Sequence, residues 1–204
     1  PDNSGDGLTP ANAKRDINNA LVAGATNLNQ DCSGKLVYLM AGTHEIKTTI
    51  NSNPYGTTPE AWAVITPAPG VTRNQVRVVK DSSGNTRIKF TKIYWKNCQF
   101  VGTGDQYFDG QIAGYPGDNP AIAFEDCTFE NSSRYLIDVS GVVSGSDFPN
   151  GKYAKNCTVT EFKNAFIGWN LVVGCTCTGI EQDTFTNTSA VINGLLIDSE
   201  MLEP

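Results

Sequence analysis

The chain has 204 residues, of which 39% are hydrophobic, and it carries a formal net charge of −6 at neutral pH. This length allows one sizeable hydrophobic core and predicts a single domain over residues 1–204. The acidic balance, without a basic stripe, argues against a nucleic-acid partner, and no apolar run reaches the roughly 18 residues of a membrane-spanning helix.

The first predicted element is a short α-helix over residues 10–23. Thr9 suits the N-cap position, and Pro10 stands at the first helical position, where proline is tolerated. Ile17 and Leu21 follow at helical spacing and form an apolar stripe. Because that stripe would otherwise be exposed, we predict that the helix covers one open end of the core.

Short strands are predicted next, each bounded by turns that contain glycine or proline. The apolar run 36–40 predicts a buried strand, which the Ala41-Gly42-Thr43 segment ends. Further strand-like stretches follow at 48–51, 63–66, 75–79 and 87–90.

A five-residue phrase then repeats along the second half of the chain. Its copies are centred on Cys98, Cys127, Cys157 and Cys175, with a degenerate copy at Leu195. They recur about every 20 to 30 residues, which indicates a repeat architecture. Each copy alternates apolar and polar residues as a strand does, and a unit this short must stack on its neighbours to bury its apolar face. The pattern predicts a parallel β-helix in which the four cysteines point inward in one column.

Two phrases near the N-terminus resemble a known superfamily. The sequences GDGLTPANA at 5–13 and LVYLMAGTH at 36–44 look like the start of right-handed β-helix proteins of the pectate-lyase-like superfamily. His44 stands where that superfamily usually has tyrosine. The Asn-Cys phrases at Asn97 and Asn156, and the Asp-Cys phrase at Asp126, are also similar to its rungs.

The resemblance implies an all-β, right-handed, single-stranded parallel β-helix with a short N-terminal capping α-helix. Residues 1–30 would form the turn and the cap, and residues 31–204 the rungs. Relatives usually have a further strand before the GxGLTP phrase, so we expect the chain to be a fragment or a processed form of a longer protein. The superfamily includes polysaccharide lyases, glycoside hydrolases, phage tailspikes and adhesins, so the fold alone does not fix the activity.

Counting forward from the rung cysteines brings two carboxylates together. Asp109 and Asp138 follow Cys98 and Cys127 at the same distance, so adjacent rungs would place them about 4.8 Å apart. Carboxylates this close share a proton or bind a cation, which makes the pair both the candidate catalytic residues and the candidate calcium ligands. The alternative is a pair of solvated turn aspartates.

Two long loops, at 102–120 and 140–153, form a second candidate site. They belong to consecutive rungs, so we expect them to project side by side. Tyrosine faces bury apolar area against sugar rings, and carboxylates accept hydrogen bonds from hydroxyls. The candidate ligand-binding residues in and near these loops are Asp105, Tyr107, Tyr115, Asp118, Arg134, Lys152 and Tyr153. The alternative is that the loops only cover the rungs.

Three functions fit these observations. The favoured one is an extracellular or virion-surface module that recognises a polysaccharide or cell-surface glycan. The second is a polysaccharide lyase or glycoside hydrolase acting on acidic glycans, with the aspartate pair assisted by Lys92, Lys96 or Arg134 as base. The third is a passive structural or adhesive scaffold that associates with further copies of itself. Whether the chain is an enzyme stays open on the sequence.

Overall fold

The computed structural model describes residues 9–14, 17, 20, 34–46, 50–51, 62–80, 88–89, 93–102, 122–135, 152–166, 169–181, 184 and 190–197. Within these residues the chain forms two seven-stranded sheets and one two-stranded sheet, and the strand pairs are parallel. No helix in this described part is long and apolar enough to cross a membrane.

Apart from β3 and β6, which pair with each other, the strands alternate along the chain between the two large sheets. They are β1 (Leu36–Leu39), β2 (Gly42–Ile46), β3 (Ile50–Asn51), β4 (Ala63–Pro67), β5 (Val76–Lys80), β6 (Ile88–Lys89), β7 (Ile93–Lys96), β8 (Gln99–Val101), β9 (Ile122–Glu125), β10 (Thr128–Tyr135), β11 (Lys152–Lys155), β12 (Thr158–Asn164), β13 (Leu171–Val173), β14 (Thr176–Thr178), β15 (Val191–Ile192) and β16 (Leu195–Ile197). The first sheet has the order β1-β4-β7-β9-β11-β13-β15, and the second has the order β2-β5-β8-β10-β12-β14-β16.

Each pass of the chain through both sheets makes one rung, and each described rung between the first and the last pairs with the rungs before and after it. We number the rungs by their strand pairs: β1 and β2 form rung 1, β4 and β5 rung 2, β7 and β8 rung 3, β9 and β10 rung 4, β11 and β12 rung 5, β13 and β14 rung 6, and β15 and β16 rung 7. This topology is compatible with a β-helix-like solenoid, and the predicted all-β class with parallel strands is confirmed.

A two-residue corner joins the two strands of each rung from rung 3 to rung 7. The first corner residue has a positive φ between 52° and 61° in all five rungs, and these residues are Asn97, Asp126, Asn156, Gly174 and Asn193. Asn, Asp and Gly are the residue types that adopt this left-handed conformation most readily. In rungs 3 to 6 their N–H groups donate to carbonyls of the next rung, as from Asn97 to Glu125 at 2.8 Å, so the hydrogen-bond ladder continues through these corners.

The second corner residue of rungs 3 to 6 is a buried cysteine. Cys98, Cys127, Cys157 and Cys175 are 0%, 0%, 1% and 0% exposed, and all four are free thiols. Each Sγ lies 3.3–3.5 Å from the carbonyl oxygen two residues earlier, to which the thiol donates. The predicted inward column of cysteines is confirmed.

Aromatic rings fill the core between the two sheets beside that column. Phe100 and Phe129 occupy matching positions in rungs 3 and 4 and stack with ring centroids 4.8 Å apart. Phe124 meets both rings edge-on, at 5.6 Å and 5.0 Å. These residues belong to one hydrophobic cluster that also includes Val37 and Ile180, so the core runs through the described rungs without a break.

The N-terminal region differs from the predicted capping α-helix. Pro10–Asn12 is a 3-10 helix closed by a hydrogen bond from the Asn12 N–H to the Thr9 carbonyl at 3.0 Å. This tighter i→i+3 turn replaces the α-helical first turn that the sequence predicted. Ile17 and Ala20 have helical backbone, and Ile17 is buried in the main cluster as predicted. The other residues of the predicted helix, Leu21 among them, lie outside the described residues.

The corner glycine of rung 6 gives a test of the corner geometry. A Cβ on Gly174 would lie 2.8 Å from Oδ1 of Asn156, whereas a Cβ on Gly179, at nearly the same φ, would lie no closer than 3.8 Å to any atom. We expect Gly179→Ala to lower the free energy of unfolding by about 1–2 kcal/mol, the cost of the left-handed conformation for alanine. Gly174→Ala should cost more, because it also displaces the Asn156 amide from its hydrogen bond to Asp126.

Urea unfolding of the two variants measures the difference. Combining Gly174→Ala with Asn156→Gly removes the amide, so the cost of Gly174→Ala should fall to that of Gly179→Ala in this background. Equal costs of the two alanine substitutions in the otherwise unchanged protein would contradict the corner geometry.

Candidate ligand-binding face

The structure describes few of the site residues that the sequence predicted. Asp109 and Asp138, the candidate catalytic and calcium-binding pair, lie outside the described residues, and so do Asp105, Tyr107, Tyr115 and Asp118. Arg134 is a strand residue of β10, and Lys152 is the first residue of β11. The structure also describes the side chain of Tyr153. The aspartate pair and the site between the two loops therefore stay predictions.

Tyr153 lies on the outward face of the first sheet and is partly exposed. Side chains alternate along β11, with Ala154 buried at 2% exposure between Tyr153 and Lys155. The strand register pairs Tyr153 with Ala123 of β9, and Ala123 with Tyr94 of β7. Two tyrosines thus lie in one column, and the residue between them is Ala123, whose side chain is a single methyl group.

A second column of side chains runs beside the tyrosines. The register pairs Lys96 with Glu125, and Glu125 with Lys155. The Glu125 Oε2 lies 3.3 Å from the Lys96 Nζ, and its Oε1 lies 3.0 Å from the Lys155 Nζ. A hydrogen bond from Lys155 to Glu125, together with the charge of that carboxylate, raises the pKa of the Lys155 ammonium. Both lysines contact one carboxylate.

Tyr94 connects the two columns. Its hydroxyl donates a hydrogen bond to the Glu125 carboxylate, which belongs to the next rung and to the neighbouring column. The residue paired with Tyr94 in rung 4 is Ala123, whose side chain is a single methyl group, and Tyr94 is partly exposed.

These six residues, Tyr94, Lys96, Ala123, Glu125, Tyr153 and Lys155, form what we call the Tyr–Lys face. The same phrase, Tyr-x-Lys-Asn-Cys, occurs in rungs 3 and 5, and rung 4 between them has Ala-Phe-Glu-Asp-Cys. Adjacent parallel strands are about 4.8 Å apart, so like residues recur about every 9.6 Å across the strands. Like residues of the face therefore stand two rungs apart, a spacing we call its period, and the face ends at rungs 2 and 6, where Val64 and Leu171 occupy the tyrosine column.

The corner next to the Tyr–Lys face is held by side-chain hydrogen bonds. The Asn156 Nδ2 donates to the Asp126 Oδ1 at 3.2 Å, and the Arg73 Nη1 donates to the Asp126 carbonyl at 2.9 Å. Arg73 belongs to a 3-10 helix, Arg73–Gln75, within the longer connection that joins the strands of rung 2. These bonds fix the residue that follows Glu125, and with it the centre of the face.

The sequence prediction missed this face because it counted forward from each cysteine into the long loops. The face lies two and four residues before the cysteine. Aligning the rungs on their cysteines and comparing the preceding residues would have shown the alternation of Tyr-x-Lys with Ala-x-Glu. Only Lys96 and Tyr153 were singled out from the sequence.

Metal binding has no further support in the described part of the chain, where no cluster of three or more His, Cys, Asp or Glu residues could hold an ion. The candidate calcium pair lies outside it. Comparisons of the chain with protein-family models, curated proteins and solved structures find no significant match.

Proposed function

We propose that the chain is a polysaccharide-recognising module of the right-handed parallel β-helix type, placed on a cell, virion or secreted surface. The handedness follows the strong preference of parallel crossover connections for the right-handed path. Residues 10–23 would cover one end of the coil, in keeping with the burial of Ile17.

The Tyr–Lys face is the observation that carries this proposal. It combines two partly exposed tyrosines with two ammonium groups and a carboxylate on the outward side of one sheet. Tyrosine rings bury the apolar faces of sugars, and charged groups exchange hydrogen bonds with sugar hydroxyls. Because the strands below are fixed in register, these groups are held in place before a ligand arrives, which lowers the entropic cost of binding.

Binding is better supported than catalysis at this face. A general base must give up its proton near the working pH, so a lysine base needs a lowered pKa. Glu125 has the opposite effect, because its charge and its hydrogen bond raise the pKa of Lys155. The same carboxylate contacts Lys96 and accepts a hydrogen bond from Tyr94, so it is held as an acceptor. These contacts suit a fixed recognition surface.

The proposal is tested by glycan binding to a single-residue variant. A glycan-array screen with product detection would first identify a bound polysaccharide. We expect Tyr153→Ala to weaken its binding by roughly 5- to 30-fold, which corresponds to the loss of about 1–2 kcal/mol of apolar contact.

Thr158→Ala is the matched control, since Thr158 lies in the same rung but in the second sheet. It should bind as the unchanged protein does. Absence of glycan binding in the screen, or equal affinity of the Tyr153→Ala variant, would reject the proposed function.

A further inference from the structure

We infer that the Tyr–Lys face takes an extended glycan of equatorially linked pyranoses, of the β-1,4 type, which lies along the solenoid axis with two sugars per repeat of the face. This inference depends on the proposed function, and it adds the class of the ligand and its direction.

The direction follows from where like residues recur. Along a strand, rungs 3 and 5 each offer one tyrosine and one lysine about 6.7 Å apart, after which the chain turns at the Asn-Cys corner. A glycan lying along a strand would therefore stack on one tyrosine only. Across the strands, Tyr94 and Tyr153 lie in the same column two rungs apart. A glycan must run in this direction to contact both rings.

The linkage type follows from the period. In an extended, equatorially linked chain each pyranose advances by about one rung spacing, about 4.8 Å. Successive sugars are turned over, so the same sugar face returns at every second residue. A face with like groups in alternate rungs matches that repeat. An α-1,4-linked glucose chain coils instead, and it cannot present the same face at this interval along a straight column.

The polar column has the same period as the aromatic one. Each ammonium has three donors, and one donor of Lys96 and one of Lys155 are directed to Glu125. Rungs 3 and 5 therefore offer donors to sugar hydroxyls, and rung 4 offers a carboxylate. In a glycan whose successive sugars are turned over, the hydroxyls on the side that meets the protein also alternate from one sugar to the next.

Charge pairing within the sheet explains only part of this pattern. Like charges directly opposite each other on adjacent strands repel, so a Lys-Glu-Lys column is favoured without any ligand. Tyr94 is likewise accounted for by its hydrogen bond to Glu125. Tyr153 supplies the second ring of the tyrosine column, one rung beyond Ala123, and the two-sugar period depends on it.

The experiment measures binding of the full chain to hexasaccharides by titration calorimetry. The probes are β-1,4-linked hexamers of glucose, N-acetylglucosamine and mannose, with the α-1,4-linked hexamer of glucose as the comparison. We expect at least one β-1,4-linked hexamer to bind about tenfold or more tightly than the α-1,4-linked hexamer. Tyr94→Ala and Tyr153→Ala should each remove most of that preference.

A spacing variant separates this inference from the proposed function. Ala123→Tyr combined with Tyr153→Ala keeps two tyrosines but places them one rung apart. We expect it to bind the preferred hexamer no better than Tyr153→Ala alone, with its folding checked by thermal unfolding. Restored affinity in this variant, or tighter binding of an α-1,4-linked hexamer, would overturn the inference and leave the proposed function standing. If no glycan binds at all, both are rejected.

Discussion

Raising the pH above 9 is expected to lower the free energy of unfolding steeply, because the buried thiols resist ionisation. Burial raises the pKa of Cys98 from 9.0 to about 12, and burial with a smaller effect of Cys175 raises that of Cys177 to about 12. In the unfolded chain both thiols lose their protons near their ordinary pKa. Between pH 9 and pH 12 the folded protein therefore holds more protons than the unfolded chain.

The sign and size of the effect follow from proton linkage. Each extra proton held by the folded state lowers the free energy of unfolding by about 1.4 kcal/mol per pH unit, so two thiols give a slope of about 2.7 kcal/mol per unit. The full contribution is present below pH 9 and is lost as the pH rises through 12. Cys157 and Cys175 act in the same direction, because hydrogen bonds within the thiol column, to Cys127 and Cys157 respectively, raise the pKa of each.

Urea unfolding at several pH values, compared among variants, measures this slope. Removing one thiol by Cys177→Ala or Cys98→Ala should reduce the slope by about 1.4 kcal/mol per pH unit. Thr176→Ala, which changes an outward neighbour of Cys177, should leave the slope unchanged. Because Tyr153 and Lys155 titrate alike in all these proteins, the difference in slope isolates the thiol. A slope that does not change in either cysteine variant would mean that these thiols ionise as readily in the folded protein as in the unfolded chain.

The strands of the rungs were largely predictable because their local signals agree with their tertiary positions. The predicted stretches 36–40, 63–66 and 75–79 lie within a residue or two of β1, β4 and β5. Apolar alternation produced these predictions, and the same alternation buries one face of each strand. The cysteine column was predictable for the same reason, since the first four copies of the phrase place a cysteine at the inward position. The degenerate copy was aligned wrongly, because Leu195 pairs with Thr176 and is 53% exposed.

β2 was missed because its turn signal was misinterpreted. The Ala41-Gly42-Thr43 segment was predicted to end the first strand, whereas Gly42, with φ of 140°, begins β2. Glycine permits this conformation at the corner, so β2 begins at the glycine itself. Turn residues indicate a change of direction, but they do not show how soon the next strand starts.

The candidate ligand-binding face was less predictable, because it depends on register between rungs. Tyr94 and Tyr153 become neighbours in one column only when a specific strand of rung 4 separates them. The register can be deduced from the corner residues, whose left-handed conformation fixes where each strand of a rung begins. Asp109 and Asp138 lie beyond the second strands, where insertions of unequal length remove that reference point.

Phe129→Ala is expected to be the most damaging single substitution among the described core residues of rung 4. Phe129 is 2% exposed, stacks on Phe100 and meets Phe124 edge-on. Its removal should lower the free energy of unfolding by about 3–5 kcal/mol, because it leaves a cavity between two sheets whose hydrogen-bonded strands cannot close over it. Chemical denaturation measures this cost, and Phe129→Leu, which fills part of the space, should cost less.

The position of Phe129 in a middle rung allows its cost to be compared with that of a core residue in rung 7. In a stack of rungs each rung contacts only its neighbours, so a residue in rung 4 supports the interfaces on both of its sides. Leu196 lies in rung 7 at the inward position that pairs with Cys177, and it is only partly buried against the main cluster. Leu196→Ala should therefore cost well under half as much as Phe129→Ala, since it weakens one interface and opens no closed cavity. If the two substitutions proved equally costly, the core would not be continuous through the middle rungs, and the stacked architecture would lose its main energetic support.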